Sequence, residues 1–397
     1  MKIAPFLRAA SVRLAALLPV IFSVAGGMSA TYVHAQERDS LEVQRGRDAK
    51  LLKRGSKVYY TQHFNLDALP AYKPQQVVTG TIREWGSNYF QHGSLNKYWE
   101  EGFKKYHPDV KFDYHLETTG AAIPALTFGM ADIAPSRHMT SNEALLFQRF
   151  HNSLPLEIPV VTGSLNVAGW SYALAIVVNK DNPIAKLSVE QLDGIFGAER
   201  DGAFETITWN TALARGPEKN IRTWGQLGLT GEWADKPINV HGYNLRYNIP
   251  RTFEHHVFQD GAKWNERLHE YANYKNKDGT TELEAMQVQT AVGNDKYSIG
   301  YSSVGFMTPQ TKALAVAARG SKDYVELNLT TLQSHKYPLY DQVYFYLKRE
   351  PGKQLDPKTK EFVRYVLSRE GQEAVARDGK YLPLPAETVR ELLKKLD

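Results

Sequence analysis

Residues 116–140 read LETTGAAIPALTFGMADIAPSRHMT, and the architecture turns on how this stretch leaves the segment before it. VKFDYHLE (110–117) alternates as a strand does, and Thr118, Thr119 and Gly120 then stand ahead of a short apolar helix that Gly129 ends. Asp132, Ser136 and Arg137 follow just beyond. Hydroxyl side chains favour helix starts because they accept bonds from N–H groups that the first turn leaves without partners. A small anion suits the same place, since those N–H groups and the helix dipole present positive potential. A capped turn and an anion site both fit these residues.

Outward from there, strand and helix patterns alternate. VVTGTIREWGSN (77–88) is a strand running into a Gly-Ser-Asn turn, and Leu95, Tyr98, Trp99, Phe103 and Tyr106 recur at helical spacing until His107-Pro108. Thr140 with Glu143 and Ser188 with Gln191 are spaced as capping boxes at two further helix starts. GWSYALAIVVN (169–179) has the continuous apolar character of a strand buried on both faces. HGYNLRYNIPRTFEHHVF (241–258) reads as a strand exit into a helix, with Asn248 as cap and Pro250 in the first turn. YSIGYSSVGF and YPLYDQVYFYL are strands, DPKTKEFVRYVLSREGQEAVARDG is one helix capped at Asp356, and PAETVRELLKKL is an amphipathic helix. Such alternation predicts an α/β protein with mainly parallel sheets, in which ligands sit at the carboxyl ends of strands.

The bulk composition narrows the class. A chain of 397 residues, 42% of them hydrophobic, is long enough to bury a large core in two lobes. Lys2, Arg8 and Arg13 precede the apolar run LAALLPVIFSVAGG, and Val33-His34-Ala35 offers a cleavage site, so residues 1–35 read as a signal peptide for export to the periplasm. A retained membrane anchor fits less well, because the run is short and contains Pro19. Removing three cationic residues from a net charge of +5 leaves 5 − 3 = +2, too little to argue for nucleic acid or an acidic membrane. Cysteine is absent, which excludes disulfides, thiolate metal sites, thiol nucleophiles and a lipid-bearing cysteine.

Residues 36–55 are charged without an apolar face, and VYYTQHFNLDALPAYKPQQ (58–76) is aromatic with Pro70 and Pro74. The expected organisation is therefore a leader and extended strap over 36–76, a discontinuous first lobe of 77–168 and 317–397, and a second lobe of 169–316.

From Val77 to Pro385 the chain resembles the periplasmic phosphate-binding proteins, the substrate-binding components of phosphate ABC transporters. The resemblance is carried by TTGAAIPALTFGMADIAPSR, by LSVEQLDGIF followed by a Trp-containing loop, by SIGY, and by YPL, EFVRYVLSREGQEAV and GKYLPLP in that order. It implies the two-lobed type II binding-protein fold, with two hinge strands, a ligand in the interlobe cleft, and delivery to a membrane permease. It further implies that Thr118, Thr119 and Gly120 form the phosphate-binding turn, and that Asp132 accepts a hydrogen bond from a protonated ligand oxygen. A carboxylate in that role would admit hydrogen phosphate and reject sulfate. In the second lobe the family usually has Arg followed by Ser-Gly-Thr, whereas Arg246 is followed here by Tyr247, Asn248 and Ile249. Asn244, Arg246 and Asn248 are then the groups within reach of a ligand.

Each candidate has a plainer alternative. Thr118 to Gly120 fit a capped turn, Asp132 a helix exit, Arg137 a brace on Glu143, and Arg246 an exposed surface position. Ser87 and Asn88, at the exit of the first strand, and Ser136 complete the candidate set. His255 and His256 are adjacent on one helix, face different ways, and suit packing better than metal. The expected ligand is phosphate or a similar small oxyanion; the alternatives are an organic acid or phosphate ester, or a signalling or scaffold role on the same fold. No Gly-x-Ser-x-Gly elbow, His-Glu-x-x-His or phosphate-binding loop motif occurs, so no enzyme activity and no cofactor are expected. A monomer that is not membrane-embedded, partnered by a permease and not by nucleic acid, completes the expectation.

Overall fold

The computed structural model describes residues 55, 57–167 and 170–397. The signal peptide and nearly all of the leader expected over 36–55 lie outside them. The first sheet takes β1 (Gly80–Trp85), β2 (Val110–His115), β3 (Ile133–Ser136) and β4 (Leu156–Thr162) from the early chain. A second sheet contains β5 (Ala175–Asn179), β6 (Asn239–Tyr243), β7 (His269–Tyr271), β8 (Ser298–Ser302) and β9 (Thr311–Ala313). The chain then returns, and β10 (Gln342–Leu347) inserts between β3 and β4. The orders are β2-β1-β3-β10-β4 and β7-β6-β8-β5-β9, which gives two lobes.

In each sheet four strands run one way and one runs against them. β10 is antiparallel to both β3 and β4, and β5 is antiparallel to both β8 and β9. The reversed strand is in both cases the one by which the chain enters that lobe from the other, so it has to begin at the edge facing the cleft. The remaining strands end there. The crossing segments lie side by side: Gly163 N–H donates to Asp341 C=O (2.8 Å), Leu174 N–H to Leu339 C=O (2.9 Å), and the Tyr337 hydroxyl to Leu174 C=O (2.8 Å).

Helices cover the sheets: α1 (Asn88–His92), α2 (Leu95–Lys104), α3 (Ala122–Thr127), α4 (Ser141–His151), α5 (Val189–Phe196), α6 (Asn248–Phe258), α7 (Glu284–Asn294), α8 (Pro357–Leu367), α9 (Arg369–Asp378) and α10 (Ala386–Lys395). Both capping boxes form, Thr140 with Glu143 and Ser188 with Gln191. On α2, Leu95, Trp99 and Phe103 are buried, as an apolar stripe at helical spacing requires. The long helix expected after Asp356 instead breaks at Ser368, whose Oγ donates to Tyr365 C=O (2.6 Å) and accepts from Gly371 N–H (3.3 Å). A hydroxyl so placed ends one helix and caps the next. None of the described helices is long and apolar enough to cross a membrane.

Residues 57–79 form no regular helix and lie along the first lobe. Tyr60, Phe64, Leu69 and Tyr72 are buried, and the Tyr72 hydroxyl donates to Glu361 (2.8 Å) while Arg369 N–H bonds Pro70 C=O (2.9 Å). The aromatic residues supply the apolar area that holds an extended segment in place.

Glu84, on β1, is 1% exposed and accepts a hydrogen bond from Asn96 Nδ2 at 3.2 Å. Burial pushes its pKa up to about 8, against the opposing effect of Asn96. An unfolded glutamate titrates near 4.5, so between those values the folded chain binds more proton than the unfolded chain. The contribution of Glu84 to stability is therefore fully present below the unfolded pKa and is lost as pH rises toward 8. Urea unfolding at pH 5 and pH 8 should show a smaller loss of stability in Glu84→Gln than in the parent. Equal losses in the two would show that Glu84 is not the group responsible.

Candidate functional site

The edge where β1, β2 and β3 end is built around one glycine. Gly86 has φ +152°, and a Cβ there would stand 2.1 Å from Pro135 C=O, so only glycine lets the chain pass. Ser87 N–H then donates to Pro135 C=O at 2.8 Å. This places Ser87, which is buried, and Asn88, which opens α1, beside the end of β3.

From the end of β2 the chain turns through Thr118, whose Oγ1 accepts from Gly120 N–H at 3.3 Å. Thr119–Ala121 form a single 3₁₀ turn that runs into α3. Ser136, the last residue of β3, donates from Oγ to Thr119 C=O at 3.4 Å. Thr119 is buried, and its Oγ1 accepts from Asn248 Nδ2 of the opposite lobe at 2.8 Å. Asn248 Oδ1 in turn accepts from Arg137 Nε at 3.1 Å. One amide side chain therefore meets a hydroxyl and a guanidinium across the cleft.

Asn248 is free for this because it does not cap α6. Tyr247 occupies the N-cap position without a side-chain cap bond, Asn248 is the first helical residue, and Pro250 is the third. Proline costs nothing there, since the first turn's N–H groups have no intrahelical partner. The first turn of α6 thus faces the turn at Thr119.

Arg137 forms a fork with Glu143, at 3.0 Å from Nη1 and 3.2 Å from Nη2, and donates to His138 C=O at 2.8 Å. Its side chain is only 12% exposed. Burial raises the pKa of Glu143, but Arg137 and the N–H and hydroxyl of Thr140 outweigh it and hold the carboxyl below its usual range. The carboxylate fixes the plane of the guanidinium and leaves Nε directed at Asn248. Arg137 thus braces Glu143 and also reaches Asn248 of the other lobe.

Asp132 stands elsewhere, which corrects the role expected of it. It precedes β3, so the length of that strand, roughly 13 Å, separates it from Ser136. It is engaged with Arg83 at 2.9 Å from Nη2 and 3.2 Å from Nε, and with the Arg83 N–H at 2.9 Å. Lys358 Nζ is 3.9 Å away. The sequence placed Asp132 soon after a helix but gave no measure of the strand that follows it. Asn244 Oδ1 accepts from Arg246 N–H at 3.1 Å within its own turn, and Arg246 is exposed. A cavity of about 280 Å³ opens away from the cleft, between α2 and α8–α9, lined by Tyr98, Tyr106, Tyr365 and Arg377 among others. Sequence reasoning missed His138, which follows Arg137 and meets α6 across the same seam; nothing in its local pattern marks it.

Among known proteins, residues 79–370 match the family described as the PBP superfamily domain. The phosphate-binding protein PstS of Pseudomonas aeruginosa is 32% identical over 330 residues, which cover 83% of this chain and 91% of that protein. Protein SphX of Synechococcus elongatus is 22% identical over 292 residues, covering 72% of this chain and 73% of that one. A solved ABC-type phosphate transport receptor from Vibrio cholerae is 20% identical, with a TM-score of 0.47 and coverage of 77% of this chain and 100% of its own.

The placement of Asp132 is testable. Arg83 is 40% exposed, so their ion pair is largely screened, and Asp132→Asn should lower stability by only about 1 kcal/mol. Anion affinity should stay within about twofold. Titration calorimetry that finds affinity reduced tenfold or more would return Asp132 to the binding site.

Proposed function

The chain belongs to the PBP superfamily and, within it, to the family of the PstS phosphate-binding proteins, and on that premise we propose that it captures phosphate in the periplasm, in the cleft between its lobes, and delivers it to the membrane permease of an ABC transporter. The likeness to PstS over nearly all of that relative supports the ligand, and the signal-like segment at the N-terminus supports the compartment. The PstS relative is named as a binding protein, and the reading is capture without chemistry.

The observation that carries the reading is the bridge from Asn248 to Thr119 and Arg137. It joins the turn at Thr119 and the first turn of α6 to a fixed guanidinium, and a helix first turn and a guanidinium both suit an oxyanion. A phosphate entering there replaces Asn248 as the partner of Arg137 Nε. The Thr119 hydroxyl, which accepts from Asn248, rotates to donate to a phosphate oxygen, and the amide of Asn248 turns its N–H groups to the ligand. Thr118 and Gly120 hold the turn, and Ser136 supports it from behind through Thr119 C=O. Ser87 lies at the adjoining strand end.

In this reading lobe 1 comprises 77–168 and 317–397 and lobe 2 comprises 169–316. The paired crossing segments are the hinge on which the lobes part to admit the ligand. Asp132 is absent from this set, so discrimination against sulfate does not rest on a proton shared with it.

Titration calorimetry on ligand-free protein should find one phosphate per chain. Arg137→Gln and Thr119→Val should each weaken binding by about 1–3 kcal/mol, the range for a buried hydrogen bond to a charged group. Sulfate, arsenate and small carboxylates form the comparison panel. Heat from a carboxylate and none from phosphate would overturn the ligand; phosphate binding unchanged in both variants would overturn the site.

A further inference from the structure

About two turns along α6 from Asn248, the same seam between lobes holds a second cluster. His138 comes from lobe 1, directly after Arg137, whereas His255 lies on α6 and Asp260 just past its end in lobe 2. The imidazoles face each other with ring centres 3.8 Å apart. His255 Nδ1 is 3.2 Å from both carboxylate oxygens of Asp260, and His138 Nε2 is 4.0 Å from Oδ2. One donor atom from each of the three residues lies within 4.8 Å of the other two.

These distances are close to those a bound ion would impose. Ligands about 2.1 Å from a tetrahedral zinc stand roughly 3.4 Å from one another, so the His255–Asp260 spacing already fits, and His138 Nε2 has about 0.6 Å to close on Asp260. The other nitrogen of His138 is buried and makes no hydrogen bond among the described residues, but a carboxylate stands at ion-pair distance behind it. Nδ1 lies 3.4 Å from Glu157 Oε2, and that oxygen accepts from the Tyr346 hydroxyl at 2.7 Å. A carboxylate behind one imidazole nitrogen, leaving the other to point at the ion, is the usual support of a metal-binding histidine. Asp260 is turned back onto His255 by two successive non-glycine residues in the left-handed region, Gln259 at φ 53° and Asp260 at φ 62°. Backbone of that kind persists where surrounding structure requires it.

We propose that His138, His255 and Asp260 form a binding site for a divalent transition-metal ion of the zinc type, with a water in the fourth position, that clasps the two lobes in the closed arrangement. Two imidazoles and one carboxylate suit zinc better than magnesium or calcium, which take oxygen ligands. The ligands come from both lobes, so the complete site exists only when the lobes meet. Metal and cleft ligand therefore favour the same closed state, and each raises the affinity of the other by an equal factor. The metal site itself does not depend on the identity of the cleft ligand.

The test uses chelator-treated protein purified without a polyhistidine tag, titrated with zinc chloride by calorimetry, with magnesium chloride as a control. One zinc per chain should bind, with the melting temperature raised and no response to magnesium. His138→Gln, His255→Ala and Asp260→Asn should each weaken zinc binding at least tenfold, Glu157→Gln by about tenfold, and the exposed His63→Ala not at all. If His255→Ala fails to fold, the His138 and Asp260 variants read the same loss. Small-angle scattering without any cleft ligand should show zinc making the parent more compact and leaving His138→Gln unchanged. Absence of zinc binding at 100-fold excess, or binding that survives both His138→Gln and Asp260→Asn, would overturn the site. Binding without compaction would overturn the clasp.

Discussion

Two hydrogen bonds between chain segments travelling in opposite directions, Gly163 to Asp341 and Leu174 to Leu339, tie the departure from lobe 1 to the return from lobe 2. Because the chain passes this seam twice, the entering strand of each sheet, β5 or β10, has to start there. Every other strand of the two sheets ends there. Helices that follow strand ends begin at the same edge, so their first turns and unpaired N–H groups are brought to the cleft by topology before any side chain is chosen. Residues such as Thr119 and Asn248 then refine a potential that the chain path has already set.

The dipole of α6 gives this arrangement two ends of opposite character. Its first turn, at Asn248, is the positive end and meets Arg137 and the turn at Thr119, a place for an anion. Its last turn is the negative end, where His255 and Asp260 meet His138, a place for a cation. The helix is eleven residues long, which corresponds to roughly 16 Å at the rise of an α-helix. Residues 136–138 of the first lobe run alongside and supply a partner to each end. One helix and one strand exit thus make both sites, and opposite charges at the two ends would pull the same lobes together.

Much of the fold was legible in the sequence because the signals involved are local. Capping boxes at Thr140 and Ser188, the apolar stripe on α2 and the hydroxyl-Gly turn at Thr118 each depend on residues within about two turns of one another. The failures are distances that no local pattern encodes. Asp132 was read as a cleft residue because it follows α3 closely, but β3 carries the chain across the lobe before the cleft is reached. Asn248 was read as a cap, and Tyr247 took that position because the amide is held by Thr119 and Arg137 from far along the chain. His255 was read beside His256, and its partner His138 came from the other lobe. Ser368 could pass as a helical residue until the close approach of Gly371 to Tyr365 C=O, where a Cβ would stand 2.2 Å away, forced two helices.

The Asn248 bridge also bears on how tightly a cleft ligand can be held. Closure already satisfies Thr119 Oγ1 and Arg137 Nε with a neutral amide, so an incoming anion gains only the difference between its own bonds and those it replaces. Hydrogen bonds between neutral groups contribute about 0.5–1.5 kcal/mol net and those to charged groups about 1.5–3; the Arg137 contact already involves a charge, so exchanging the neutral Thr119–Asn248 contact leaves a surplus on the order of only 1–2 kcal/mol. Micromolar binding requires about 8 kcal/mol. In the proposed capture the remainder has to come from further donors at the cleft, of which the N–H groups in the first turn of α6 are held by the backbone and cost little to order. On that proposal, donors fixed by the backbone carry most of the affinity, and the side-chain amide is the contact that has to break when the cleft opens.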